Sequence, residues 1–140
     1  MRSIGIIPAR LDASRFPRKP LAKIHGMPMI GHCYHRTKLA LGKDSTYVAT
    51  CDEEICNYIK SINGNYVMTS KKHERASERC SEALIKIEKK LKIKFDIVTM
   101  LQGDEPLISL KMIEKGIIPL INDKNVNVTN LISKIYTKDE

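Results

Sequence analysis

Ile4-Gly5-Ile6-Ile7-Pro8-Ala9-Arg10-Leu11-Asp12-Ala13-Ser14-Arg15-Phe16-Pro17-Arg18-Lys19-Pro20-Leu21 is a short apolar run that opens at once into a loop holding four cations and three prolines. A strand ending in a polar, proline-stiffened, cationic loop is how open α/β sheets hold a polyanion, because ligands sit beyond the carboxyl ends of the strands. Pro17 and Pro20 remove backbone freedom, which lowers the cost of ordering the loop around a ligand. On charge alone, a solvated basic turn stays open as the alternative.

Outward from this stretch, further apolar β-type runs occur at Thr46 to Ala49, Tyr66 to Met68, Ile97 to Leu101 and Val126 to Ile132. Between them lie stretches with apolar residues at three- and four-residue spacing, which predicts helices over about 29–41, 53–62, 74–90 and 110–118. Strand and helix alternating with short connections means βαβ crossovers and a mostly parallel sheet. Asp52 ahead of Glu53 and Glu54 reads as an N-cap with an acidic first turn, and Gly64 reads as a stop before the next strand. No linker or repeat divides residues 1–140, so a single domain is expected. The run from Val126 to Tyr136 has the look of a strand that needs a larger sheet, so the architecture is expected to be incomplete at its C-terminus.

The 140 residues are enough to bury a real core, and 42% hydrophobic with 29% charged residues is ordinary globular composition. No apolar stretch approaches the ~20 residues that span a bilayer, and Met1-Arg2-Ser3 leads directly into a strand-like run, so a cytoplasmic chain without membrane contact is expected. Cys33, Cys51, Cys56 and Cys80 form no C-x-x-C pair and are expected as reduced, structural thiols. A formal net charge of +8 favours anionic partners. Part of that excess, Lys86, Lys89, Lys90, Lys92 and Lys94, reads as the solvated face and exit of a helix. Scarce aromatics offer no stacking platform, which argues against nucleic acid as the partner.

Three constellations carry chemistry. Arg10, Arg15, Arg18 and Lys19, with Ser14 among them, can neutralise a nucleoside triphosphate, since arginine forks match phosphate oxygens and lysine acts as a point charge. The absence of G-x-x-x-x-G-K-S/T excludes a P-loop ATPase. Gln102-Gly103-Asp104-Glu105-Pro106 follows a strand directly, and a carboxylate there, beside a glycine, suits a Mg²⁺ shared with substrate phosphates. Asp104 is the metal candidate, with a turn or N-cap role as the alternative. His73-Glu74-Arg75-Ala76-Ser77-Glu78-Arg79 opens a helix, where small residues admit a base ring and Arg75 or Arg79 can reach a phosphate or carboxylate. An amphipathic helix start explains that segment equally well. His32 and His35, three apart on a helix, lack a further ligand at metal spacing, and His25 carries no signal.

The three together, in this order, resemble the 3-deoxy-manno-octulosonate cytidylyltransferase (CMP-Kdo synthetase) family, and acidic-sugar cytidylyltransferases more broadly. The likeness rests on Ile7-Pro8-Ala9-Arg10, Ser14-Arg15, Pro17, Lys19-Pro20-Leu21, Gly26, Pro28-Met29-Ile30, Val48-Ala49-Thr50, Val67-Met68-Thr69, Arg79 and Gln102 to Pro106. It implies a Rossmann-like three-layer sandwich of the nucleotide-diphospho-sugar transferase type. It also implies a reaction in which the anomeric hydroxyl of a 2-keto sugar acid attacks the α-phosphate of CTP, with Mg²⁺ as cofactor and a homodimer as a possible assembly. Carried over by position, Arg10, Ser14, Arg15 and Lys19 would hold the triphosphate, and Ala9 would be a further nucleotide-binding position. Ala76, Ser77 and Arg79 would line the cytidine side, Gln102 would lie near nucleotide and sugar, and Asp104 would bind the metal. Arg10, Lys19 and Asp104 would carry the catalytic charge. Arg18 departs from a family glycine, Cys51 from an acidic residue, and Glu74-Arg75-Ala76-Ser77 from Gln-Ser-Gly-Thr. Family members are also much longer, so a nucleotide-binding module without turnover stays open, with a basic nucleic-acid-binding protein as a remote reading.

Overall fold

The computed structural model describes residues 1–12 and 15–134. Strand β1 (Ser3–Ala9) is followed by a one-turn 3-10 helix at Lys19–Leu21, the hairpin β2 (Lys23–Ile24) and β3 (Met27–Pro28), and helix α1 (Met29–Leu41). Then come β4 (Thr46–Thr50), α2 (Glu53–Ser61), β5 (Tyr66–Met68), α3 (Ala76–Leu91), β6 (Ile97–Met100) and α4 (Leu110–Asn122). The hairpin turns on His25 and Gly26, both at positive φ (48° and 79°), as a two-residue hairpin turn requires.

The main sheet runs in the order β5-β4-β1-β6 with every pairing parallel. β1 lies between β4 and β6 in a sheet with helices packed on both faces, so it reads as an unbroken hydrophobic run. Its alternate residues divide the core. Ile7 and Ala9 point to the side holding Ile30, Cys33 and Tyr34 of α1, Ile55 and Ile59 of α2, and Ile113 and Ile117 of α4. Ile4 and Ile6 face the other side, against Cys80, Ala83 and Ile87 of α3. The result is three layers, with α1, α2 and α4 on one face and α3 on the other. α1 sits close on β1 because residue 5 is glycine: a Cβ there would lie 2.7 Å from Thr37 Cγ2 and 2.8 Å from Leu41 Cδ1.

The observed elements depart from the expected ones at the later boundaries. α3 begins at Ala76 and not at Glu74, because the Glu78 carboxylate accepts the Arg75 N–H and fixes Arg75 as the residue before the helix. α4 continues past Ile118 through Pro119 to Asn122, and the Thr129 hydroxyl donates to the Gly116 carbonyl at 2.5 Å beside that proline turn. The strand expected over Val126 to Ile132 does not form. A strand exists by pairing, and this segment turns away from the end of α4 through Asp123 without joining the sheet, leaving Val128 and Ile132 exposed. The rest of that expected run, with Tyr136, lies outside the described residues.

Candidate functional site: a cationic cleft at the strand ends

The carboxyl ends of β1 and β6 open into a cleft of about 740 Å³. Pro8 and Ala9 end β1 and form its floor, and Arg10, Arg15, Phe16, Lys19 and Pro20 form one wall. His73, Glu74, Arg75, Ala76 and Arg79 form the α3 wall, and Gln102, Gly103 and Asp104 close the β6 side. This is where an open parallel sheet places its ligand, at the point where the chain, having built outward through β4 and β5, returns to the other side of β1.

Each anchor has a local reason. Arg79 is nearly sequestered, 3% exposed, yet reaches the cleft from the first turns of α3. Its guanidinium donates to the Thr69 hydroxyl and, at 3.3 Å, to the Ser70 carbonyl, so its charge is aimed by hydrogen bonds to the end of β5. Lys19 sits on the 3-10 turn that Pro20 opens, and its Nζ donates to Asp104 Oδ2 at 2.8 Å across the cleft. That pair brings together residues 85 apart in sequence and sets a cation and a carboxylate at one lip. Gly103, buried beneath it, lets the β6 loop lie against β1, since a Cβ would fall 2.9 Å from the Pro8 carbonyl oxygen.

The α3 wall carries a second ionic cluster. Glu82 accepts the Ser70 N–H at 3.0 Å, pairs with Lys86 at 2.7 Å and contacts His73 Nε2. Lys86, then the Ser70 N–H and His73, hold its carboxyl well below the ordinary value, at about 2. A carboxyl that is harder to protonate in the folded chain stabilises the fold above its unfolded value. That contribution is lost as pH falls from the ordinary 4.5 towards about 2. In urea unfolding at stepped pH, Glu82→Gln is therefore expected to flatten the stability loss across this acid window while leaving the profile above pH ~5 unchanged in shape. A variant curve parallel to the wild type throughout would remove Glu82 as the source.

Of the residues singled out from sequence, Ala9, Arg10, Arg15, Lys19, Ala76, Arg79, Gln102 and Asp104 meet around this one cleft. Ser77 is exposed on α3 and does not line it, and Ser14 lies outside the described residues. Arg18 also turns away: its guanidinium forks onto the Glu54 carboxylate of α2, with Nη1 3.0 Å from Oε1. Arg18 holds φ 61°, the left-handed region, which accounts for the glycine expected there. His32 Nε2 donates to the Ile24 carbonyl at 2.8 Å, tying the hairpin to α1 as a structural histidine. The four thiols are free, and burial pushes Cys33 and Cys56 up to about 11 and Cys80 to about 12, so these three are inert at neutral pH. Of the five lysines assigned to the face and exit of α3, Lys86 and Lys94 pair with Glu82 and Glu88. Sequence reasoning missed Phe16 in the cleft and the reach of Asp52 to the loop, whose Oδ2 accepts the Leu11 N–H at 2.8 Å. Asp52 carries an N-cap signal, and nothing in its neighbours indicates a partner 41 residues upstream.

For magnesium, no cluster of three or more His, Cys, Asp or Glu side chains exists among the described residues. One carboxylate at the lip of an anion cleft still fits that ion, which is commonly held by one or two carboxylates together with substrate phosphates and water. Among the described residues no helix is long and apolar enough to cross a membrane.

A parallel α/β sheet with a cation-lined cleft at its strand ends is the architecture in which α/β proteins place an anionic ligand. A family model described as cytidylyltransferase matches residues 4–140, and the chain belongs to that family. The 3-deoxy-manno-octulosonate cytidylyltransferase of Geobacter metallireducens is 39% identical over 135 residues, covering 96% of this chain and 51% of that protein. The mitochondrial 3-deoxy-manno-octulosonate cytidylyltransferase of Arabidopsis thaliana is 46% identical over 113 residues, 81% of this chain and 38% of that one. A solved structure of CMP:2-keto-3-deoxy-manno-octonic acid synthetase complexed with CTP superposes with a TM-score of 0.79 at 34% identity, covering 89% of this chain and 49% of that one. The chain spans about half the length of the curated relatives it matches.

Proposed function

We propose that the chain binds CTP in this cleft and supplies the nucleotide half of a cytidylyltransferase that activates a 2-keto sugar acid for cell-surface polysaccharide synthesis. The observation that carries the reading is the convergence of Arg10, Arg15, Lys19 and Arg79 on one cleft at the ends of β1 and β6, with the Asp104 carboxylate paired to Lys19 at its lip. The names of its relatives, one of them solved with CTP, support the choice of nucleotide.

In the proposed reaction the anomeric hydroxyl of the sugar acid loses its proton to solvent as its oxygen forms a bond to the α-phosphorus, the bond from that phosphorus to the pyrophosphate oxygen breaks, and pyrophosphate leaves with the electron pair. The chain's residues do no covalent work in this scheme. Arg10, Arg15 and Lys19 neutralise the triphosphate and the charge that builds on the leaving pyrophosphate. Arg79, already aimed by Thr69 and Ser70, presents a fixed cation that needs no reordering when the nucleotide enters. Magnesium, held by Asp104 and phosphate oxygens, would supply charge neutralisation and orientation of the phosphates when bound. The same reading places the protein in the cytoplasm, with a homodimer as its assembly and neither nucleic acid nor membrane as a partner.

Calorimetric titration with CTP and Mg²⁺ tests the reading: saturable binding is expected, and no heat or thermal shift at millimolar CTP would refute it. A second reading of these 140 residues is a module that holds CTP without turnover. Single-turnover pyrophosphate release with a panel of 2-keto sugar acids separates the two.

A further inference from the structure

We propose that the first turn of α2 is the brace of the cationic loop, and that Asp52 is a positioning residue for the phosphate cations. The loop is pinched at a neck where the Arg18 N–H donates to the Leu11 carbonyl at 3.0 Å. Both neck residues are tied to the same turn of α2. Asp52 Oδ2 accepts the Leu11 N–H at 2.8 Å in a partly buried contact, and Glu54 takes the Arg18 guanidinium as a two-pronged pair.

Asp52 occupies the N-cap of α2, where an aspartate ordinarily accepts an N–H of its own helix. Here it makes no such side-chain bond. Its acceptor is directed instead to the loop, with the Cys51 thiol 3.7 Å from the same oxygen. The neck residues are immediate neighbours of the cations that matter: Arg10 precedes Leu11, and Lys19 follows Arg18, and both line the cleft. A shift of the neck against α2 therefore moves both cations relative to Asp104 and Arg79. The two ties differ in weight. The Arg18–Glu54 pair is exposed, with both side chains 56% accessible, and is screened by salt. The bond to Asp52 is shielded and charge-assisted, so it dominates. Glu54 has a narrower task, holding a non-glycine residue at φ 61°.

The inference rests on the cleft being a triphosphate site, and the test separates the two. Asp52→Ala removes the acceptor, Asp52→Asn retains one, and Glu54→Gln loosens the other tie. Each is compared with wild type in affinity for CTP and for inorganic tripolyphosphate, in the rate of tryptic cleavage at Arg15–Phe16, and in thermal midpoint. Asp52→Ala is expected to bind both ligands about tenfold more weakly, a loss of about 1.4 kcal/mol. It should also be cut several-fold faster while still folded. Asp52→Asn should restore most of both, and Glu54→Gln should have a smaller effect that disappears at high salt. A helix cap alone would lower the midpoint without moving affinity. Wild-type affinity and cleavage in folded Asp52→Ala overturn the brace. Should that variant not fold, hydrogen exchange of the Leu11 amide in wild type decides: protection above that of neighbouring loop amides supports the brace, and none overturns it. Failure of wild type to bind either ligand overturns the triphosphate reading, and cleavage and exchange then judge the brace alone.

Discussion

Gly103→Val is expected to destabilise the fold by about 1–3 kcal/mol, lowering the thermal midpoint by roughly 5–10 °C, and to weaken CTP binding by at least about tenfold. The demand at this position is one of space. A Cβ would lie 2.9 Å from the Pro8 carbonyl oxygen and 3.3 Å from both Ala9 Cβ and Ile30 Cδ1. The nearest of these atoms belongs to the backbone of the central strand, where Pro8 is paired with Ala49 of β4, and cannot swing away as a side-chain tip could. The loop must yield instead, and it carries Gln102 and Asp104 on either side of the glycine. Stability and binding should therefore fall together, with Gly103→Ala intermediate in both. Chemical unfolding with parallel CTP titration checks this, and a valine variant with wild-type midpoint and affinity would show that the contact between the β6 loop and β1 is not required.

Much of this arrangement is legible in the chain because its determinants are local. The apolar run Ile4 to Ile7, the three- and four-residue spacing of α1 and the strand-helix alternation each specify an element within one window, and α1 forms over the residues expected, 29–41. Two kinds of feature were not legible. Strand formation at Val126 to Ile132 depends on a pairing partner, which composition cannot supply, and β-rich residues there stay unpaired. The destination of a charged side chain depends on contacts far away in sequence. Arg18 counts as a phosphate cation by proximity to Arg15 and Lys19, yet it spends its charge on Glu54, 36 residues on. Asp52 reads as a helix cap and instead holds the loop. Backbone conformation explains the first case further: at φ 61° the residue marks a sharp turn, and the glycine expected there would satisfy the turn without adding a cation to the cleft.

The clearest signed result should come from the pair that spans the cleft. Lys19 Nζ and Asp104 Oδ2 stand 2.8 Å apart, with 36% and 51% of their side chains accessible, so the pair itself contributes little to stability and either residue can be changed without unfolding the chain. Their effects on the nucleotide must be opposite. Lys19→Ala removes a charge-assisted donor to phosphate, a loss of about 1.5–3 kcal/mol, and should weaken CTP about 10- to 100-fold with or without magnesium. Asp104→Asn removes a negative charge facing the phosphates and frees Lys19 from its partner. Binding of CTP in chelator should tighten, while the gain on adding Mg²⁺ disappears, because the carboxylate beside Lys19 is gone. Arg10→Ala should follow Lys19→Ala, since it lacks the carboxylate's opposing role. Isothermal titration of the three variants, each with EDTA and with Mg²⁺, separates these outcomes. Parallel losses in Lys19→Ala and Asp104→Asn under metal-free conditions would mean that the ion pair, and not the phosphate, is what these residues serve.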